Sequence, residues 1–172
     1  MKLHQTKIDI RKNTRRTMIE LLNQQLANAL DLGLQAKQAH WNVKGPNFIG
    51  LHELFDKVAE ELEEFTDSIA ERAVEMGGTA LGTIQVVSKN SRLRAYRLDL
   101  SSGSGHVASL SSALARFGAA TREAIDTASQ AGDADTRVRF PSPAPLIIND
   151  LHRCAGKVQE NPARLKIIFR SR

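Results

Sequence analysis

The stretch from Leu51 to Met76 constrains the fold more than any other part of the chain. Apolar residues stand at Leu51, Phe55, Val58, Leu62, Phe65, Ile69, Ala73 and Met76, in steps of three and four that stack on one side of an α-helix. The seam runs for about seven turns and needs long helical partners to cover it. Asn47 stands where a helix cap belongs, and Gly77-Gly78 ends the pattern with residues tolerant of positive φ.

Partners for that seam are present on both sides of it. Met18, Leu21, Leu22, Leu26, Ala29, Leu30, Gly33, Leu34 and Ala36 recur at helical intervals up to Trp41. Thr17 and Glu20 have capping-box spacing, with Asn13 and Thr14 as earlier candidates for the cap. Asn42-Val43-Lys44-Gly45-Pro46-Asn47 reads as the turn between the two helices. A third long helix is predicted over about residues 106–131, with Val107, Leu110, Leu114, Phe117, Ala120, Ile125 and Ala128 inward and Gly132 as its stop. Thr79–Ser88 reads as a short crossover helix and Ser101–Gly105 as a flexible link. The predicted class is all-α, in one domain.

Other classes are excluded by what the chain lacks. No apolar run reaches the roughly 18–20 residues of a membrane-spanning helix, and the N-terminus has no signal-peptide core. A cytoplasmic protein without membrane attachment is expected. The single cysteine, Cys154, leaves no basis for an intrachain disulfide framework or a cysteine-based metal site.

The second helix also carries a polar face with an unusual order. On a wheel of about 100° per residue, with His52 at zero, Asp56 falls near 40°, Asp67 near 60° and Glu71 near 100°. Asp56 and Asp67 are nevertheless roughly 16 Å apart along the axis, whereas a metal reaches its ligands at about 2.0–2.2 Å. One copy of the helix cannot unite them. The pairs His52/Glu71 and Asp56/Asp67 are both centred between Glu61 and Leu62, so a two-fold axis there would set each residue beside its counterpart on an antiparallel copy. His40, at the end of the preceding helix, is placed to join the His52/Asp56 half. Two imidazoles and three carboxylates suit Fe(II), Mn(II) or Zn(II). The Glu-x-x-His pairs of a di-iron bundle with its site inside one subunit are absent from the helices.

Ala39-His40-Trp41-Asn42-Val43-Lys44-Gly45-Pro46-Asn47-Phe48, Leu51-His52-Glu53-Leu54-Phe55-Asp56 and Asp67-Ser68-Ile69-Ala70-Glu71-Arg72-Ala73 resemble the Dps family, the DNA-binding proteins from starved cells. Gly77-Gly78-Thr79-Ala80-Leu81-Gly82-Thr83 and the Tyr96/Leu98-Asp99 segment agree, so the resemblance covers about residues 10–136. It implies a ferritin-like four-helix subunit, a hollow homo-oligomeric dodecamer, and ferroxidase sites at dimer interfaces. It further implies oxidation of Fe(II), preferably by hydrogen peroxide, storage of the ferric iron, and non-specific DNA binding in many members. Carried over, His40, His52 and Asp56 are iron ligands from one subunit, and Asp67 and Glu71 from its two-fold partner. Trp41, beside His40, is either a radical-quenching neighbour of that site or a core anchor. Asp133 and Asp135 match the region where the family's carboxylates line the pores that admit iron.

The two ends of the chain stand apart. Residues 1–16 hold six bases, Lys2, Lys7, Arg11, Lys12, Arg15 and Arg16, against Asp9. Residues 1–13 read as a mobile basic arm, and those six side chains as candidates for binding DNA phosphates. The domain proper spans 14–136. Residues 137–172 are basic and depart from the family, with Pro141, Pro143 and Pro145 forbidding a continuous helix over 137–145. The fourth bundle helix is therefore expected to be altered or replaced, with a short amphipathic helix over 146–160. Arg137-Val138-Arg139-Phe140-Pro141 back-translates into the T-arm sequence of transfer RNA genes, which predicts a foreign origin for the tail.

Overall fold

The computed structural model describes residues 3–140. Its helices are α1 (Lys12–Asn42), α2 (Phe48–Glu75), α3 (Ile84–Asn90), α4 (Gly103–Gln130) and α5 (Ala134–Arg139). The short turn between α1 and α2 folds them into an antiparallel pair. α4 packs on α1, and α5 sits against α4 and α2. Among the described residues there is no strand, only a bridge between Lys44 and Ser102 that ties the α1–α2 turn to the start of α4.

All the α2 seam positions from Leu51 to Met76 are buried. They meet Met18, Leu22, Leu26, Leu32 and Ala36 of α1 and Val107, Leu110, Leu114 and Phe117 of α4 in one continuous core. Phe65 and Phe117 meet edge to face at 5.4 Å, joining α2 to α4. Leu34 and Trp41, expected inward, are 52% and 65% exposed. Each follows a buried residue, Leu32 or Ala39, by two positions, about 200° around the helix. Exposure removes Trp41 from the role of core anchor.

Glycine ends α2 and α4 by the same device. Gly77 (φ 84°) donates to the Val74 carbonyl at 2.8 Å while Gly78 donates to Ala73 at 2.9 Å, the paired bonds that satisfy a helix's last carbonyls. Gly132 (φ 72°) and Asp133 close α4 on Ser129 and Ala128 in the same way. A Cβ at Gly78 would lie 2.5 Å from Ile19 Cγ2, so α1 and α2 meet too closely there for any side chain.

The helix starts differ from expectation. α1 begins at Lys12, and Thr17 is no cap: its hydroxyl donates to the Asn13 carbonyl one turn back. Asn47 occupies the cap position of α2 without a side-chain bond. The expected link at 101–105 is a capped start instead, because Ser102 Oγ accepts from the Gly105 amide at 3.2 Å.

The crossover from 79 to 94 is held by amide side chains of α1. Asn23 bonds the Thr79 carbonyl and Leu81 amide, Gln24 the Asn90 carbonyl, Asn28 the Arg92 amide and Gln35 the Arg94 carbonyl. Irregular backbone lying on a helix needs such partners.

The N-terminal segment is docked rather than free. His4 donates its amide to Gly77 at 2.8 Å, the Thr6 hydroxyl donates to the Glu75 carbonyl, and Leu3, Ile8 and Ile10 pack on the core. These apolar residues, interleaved with the bases, hold the segment against the helices.

α5 is all that is described of the expected fourth helix. It stops at Phe140, whose backbone is extended ahead of Pro141 and whose ring is buried. The helix expected over 146–160 lies outside the described residues.

Candidate metal centre

His40 in the last turn of α1 and His52 in the first turns of α2 face each other across the turn. Their rings stack with centroids 3.6 Å apart and planes at 23°. Each Nδ1 lies 2.9 Å from the main-chain carbonyl of the other histidine. A carbonyl oxygen only accepts, so both Nδ1 atoms carry the proton and both Nε2 atoms present a lone pair. Carbonyl-anchored imidazoles of this kind are the form that binds metals, with tautomer and ring orientation set in advance. Phe48 covers one side, its ring 5.0 Å from His52.

Asp56 lies one turn beyond His52, with Oδ1 3.8 Å from His40 Nδ1. The same oxygen is paired with the ammonium of Lys37, one turn before His40 on α1. That hydrogen bond, helped by the charge of Lys37, holds the Asp56 carboxyl below the ordinary aspartate range against an opposing effect of desolvation. Lys37 escaped the sequence reading. Its only signal was a base three positions before His40, which becomes meaningful once α1 and α2 are known to be antiparallel.

Replacing Lys37 by Gln is expected to raise the Asp56 pKa toward the ordinary value. The sign follows from the direction: a depressed carboxylate stays ionised until the pH falls through its lowered pKa, and the variant protonates sooner. Carboxyl NMR titration of both proteins measures it; coincident curves would show that the ammonium does not act on Asp56.

Asp67 and Glu71 lie farther along the unbroken α2 and are exposed. Glu71 is 3.7 Å from Arg139 of α5. Among the described residues no group of three or more His, Cys, Asp or Glu in this one chain could hold an ion. The chain brings His40, His52 and Asp56 together, with Asp56 engaged by Lys37. It keeps Asp67 and Glu71 away from them.

Other candidates take different places. Asp133 does not face a pore: it is 1% exposed, and its Oδ1 accepts from Arg72 Nη2 at 2.8 Å and from the Thr136 amide at 3.0 Å, capping α5. Asp135 is exposed. Lys7, Arg11, Lys12 and Arg16 are exposed, and Lys2 lies outside the described residues. Arg15 is turned inward, donating from Nη1 to the Met76 carbonyl at 3.1 Å, and so leaves the phosphate-binding set. No described helix is long and apolar enough to cross a membrane.

The helices and their order define a ferritin-like chain, and the ferritin-like domain family matches residues 19–140. The DNA protection during starvation protein of Agrobacterium fabrum is 41% identical over 160 residues, which cover 93% of this chain and 99% of the relative. The solved Dps of Mycobacterium smegmatis superposes with a TM-score of 0.77 at 26% identity, covering 91% of this chain and 93% of that one. An archaeal Dps homologue from Halobacterium salinarum superposes with a TM-score of 0.83 at 24% identity, covering 93% of this chain and 89% of that one; it bears on the fold alone. The chain belongs to the Dps family of ferritin-like proteins. A 160-residue alignment is longer than residues 1–136, so similarity to the Agrobacterium relative runs into the tail and does not stop at Thr136 as expected.

Proposed function

We propose that this chain is the subunit of a ferroxidase that oxidises Fe(II) with hydrogen peroxide, stores the ferric product in a homo-oligomeric shell and thereby protects DNA. The observation that carries the reading is the His40–His52 pair, with both Nε2 lone pairs set free beside the ionised Asp56. Asp67 and Glu71 of a two-fold partner would complete the set, since α2 keeps them from their own chain's histidines. The carboxylates favour Fe(III) over Fe(II) electrostatically, and the imidazoles hold the ion in place. Two Fe(II) ions give two electrons to one peroxide, whose O–O bond breaks; with two waters the products are two ferric oxyhydroxide units and four protons. Removing both reactants spares DNA from hydroxyl radical, in keeping with the name of the Agrobacterium relative. The cytoplasm, at or near the nucleoid, is where such protection would act.

Mixing the protein with Fe(II) and peroxide is expected to give ferric absorbance, lost in His52→Ala and in Asp67→Ala. Parent-like oxidation in both variants sinks the assignment. Size-exclusion chromatography tests the shell, with a mass near twelve subunits expected.

A second reading, non-specific DNA compaction, draws on the exposed Lys7, Arg11, Lys12 and Arg16. A gel shift that weakens with salt and disappears on neutralising these four favours it.

A further inference from the structure

On the Glu71 side of α2, helix α5 brings up a cation that the reaction above leaves without a task. Glu71 and Glu75 stand one turn apart on α2, and Arg139 in the last turn of α5 reaches both. Its Nη2 donates to Glu75 Oε1 at 3.1 Å, while its Nη1 lies 3.7 Å from Glu71 Oε2. Glu75 is held from its other side as well, because Arg72 Nη1 donates to Glu75 Oε2 at 3.2 Å. Arg72 is itself fixed by the buried Asp133. Glu71 has no second partner of that kind: among the described residues its ion pair is with Arg139 alone. The guanidinium is therefore shared unequally, with a full hydrogen bond to Glu75 and a looser contact to Glu71. Partly exposed pairs contribute little to stability; what this one decides is whether the Glu71 carboxylate is available. The other half of the ligand set is arranged alike, since Asp56 is engaged by Lys37. Each half thus offers a carboxylate already matched by a side-chain cation from a neighbouring helix.

We infer that Arg139 is a displaceable counter-cation of the metal centre, which engages Glu71 until a divalent ion takes that carboxylate and then stays on Glu75. The inference rests on the reading of Glu71 as a ligand in the partner's site, and it adds what controls the release of that ligand. A positive charge held within a few ångströms of the carboxylate opposes the arrival of a second one. The apparent affinity for metal falls by the fraction of time that Glu71 is engaged. Glu75 eases the release, because the guanidinium keeps its shorter hydrogen bond when it leaves Glu71. The several N–H donors of the arginine fork allow this change of partner without any movement of α5. Arg139 is a positioning residue in this scheme, and it raises the free Fe(II) concentration at which the centre fills.

The test uses Zn(II), which has no redox chemistry, so binding is read apart from iron oxidation. Full-length parent and variants are titrated by isothermal calorimetry, and the sites lost in His52→Ala define the centre. Arg139→Gln is expected to bind Zn(II) there severalfold more tightly, with Arg139→Lys close to the parent. Glu75→Gln leaves the guanidinium only Glu71 and should bind severalfold more weakly. Added to Arg139→Gln, the same Glu75 substitution should change little, since no guanidinium remains to be redirected. Arg137→Gln removes an equal charge from an exposed position of α5 and separates this contact from net charge. Unchanged or weaker binding in Arg139→Gln, as a purely structural role in holding α5 would give, overturns the counter-cation. Equal tightening in Arg137→Gln overturns it too, and both results leave the ferroxidase reading standing. Absence of any His52-dependent Zn(II) site in the parent overturns both. Should Arg139→Gln fail to fold, Glu75→Gln decides: binding no weaker than the parent's overturns the inference.

Discussion

Subunits carrying His52→Ala and subunits carrying Asp67→Ala, each inactive alone, are expected to regain ferric oxidation when co-assembled. The reason is geometric. In the proposed two-fold dimer each site would take its histidines from one copy and Asp67 and Glu71 from the other. A mixed dimer therefore concentrates both lesions in one site and leaves the second intact. Random mixing makes half the dimers mixed, so about a quarter of all sites recover. A chain with both substitutions recovers nothing with either single variant, because every site then keeps at least one lesion. Activity in the single variants alone, or no recovery on mixing, contradicts a shared site. The outcome separates a shared site from a site within one chain, which two inactive variants cannot rebuild.

The largest expected loss of stability comes from Asp133→Ala. Arg72 has only 4% of its side chain exposed, and its guanidinium is held by Asp133, the Thr136 hydroxyl and Glu75. Removing Asp133 leaves a buried cation whose other carboxylate partners, Glu75 and Asp135, are exposed and screened. Breaking a buried pair from one side costs about 3–5 kcal/mol, and the lost cap of α5 adds about 1 kcal/mol. The midpoint of urea unfolding should fall accordingly, with Asp135→Ala within about 0.5 kcal/mol of the parent. Equal effects of the two substitutions would show that the Arg72–Asp133 pair does not hold α5 in place. The pair matters to the centre as well, since Arg72 follows Glu71 directly and anchors that end of α2.

Much of this is legible in the residue order alone. The α2 seam from Leu51 to Met76 is buried as its period requires, and Gly77 and Gly132 end their helices by adopting positive φ. The starts were less legible. Thr17-x-x-Glu20 has the spacing of a cap, but an unbroken turn from Lys12 already occupies that backbone. The arm misled for a similar reason: its six bases outweigh Leu3, Ile8 and Ile10 in a charge count, while burial of those three decides where it lies.

By itself the sequence determined that three long helices form, which face of α2 is buried, and that Asp56 and Asp67 on one straight helix are too far apart to share an ion. Each follows from the rise and angle of a single helix, which residue spacing specifies. Only the tertiary structure decided that His40 and His52 lock one another through their carbonyls, that Lys37 holds Asp56, that Asp133 serves Arg72 rather than a pore, and that Arg139 reaches both Glu71 and Glu75. These contacts join different elements. They depend on the offset and rotation between packed segments, which the period of any one segment does not contain.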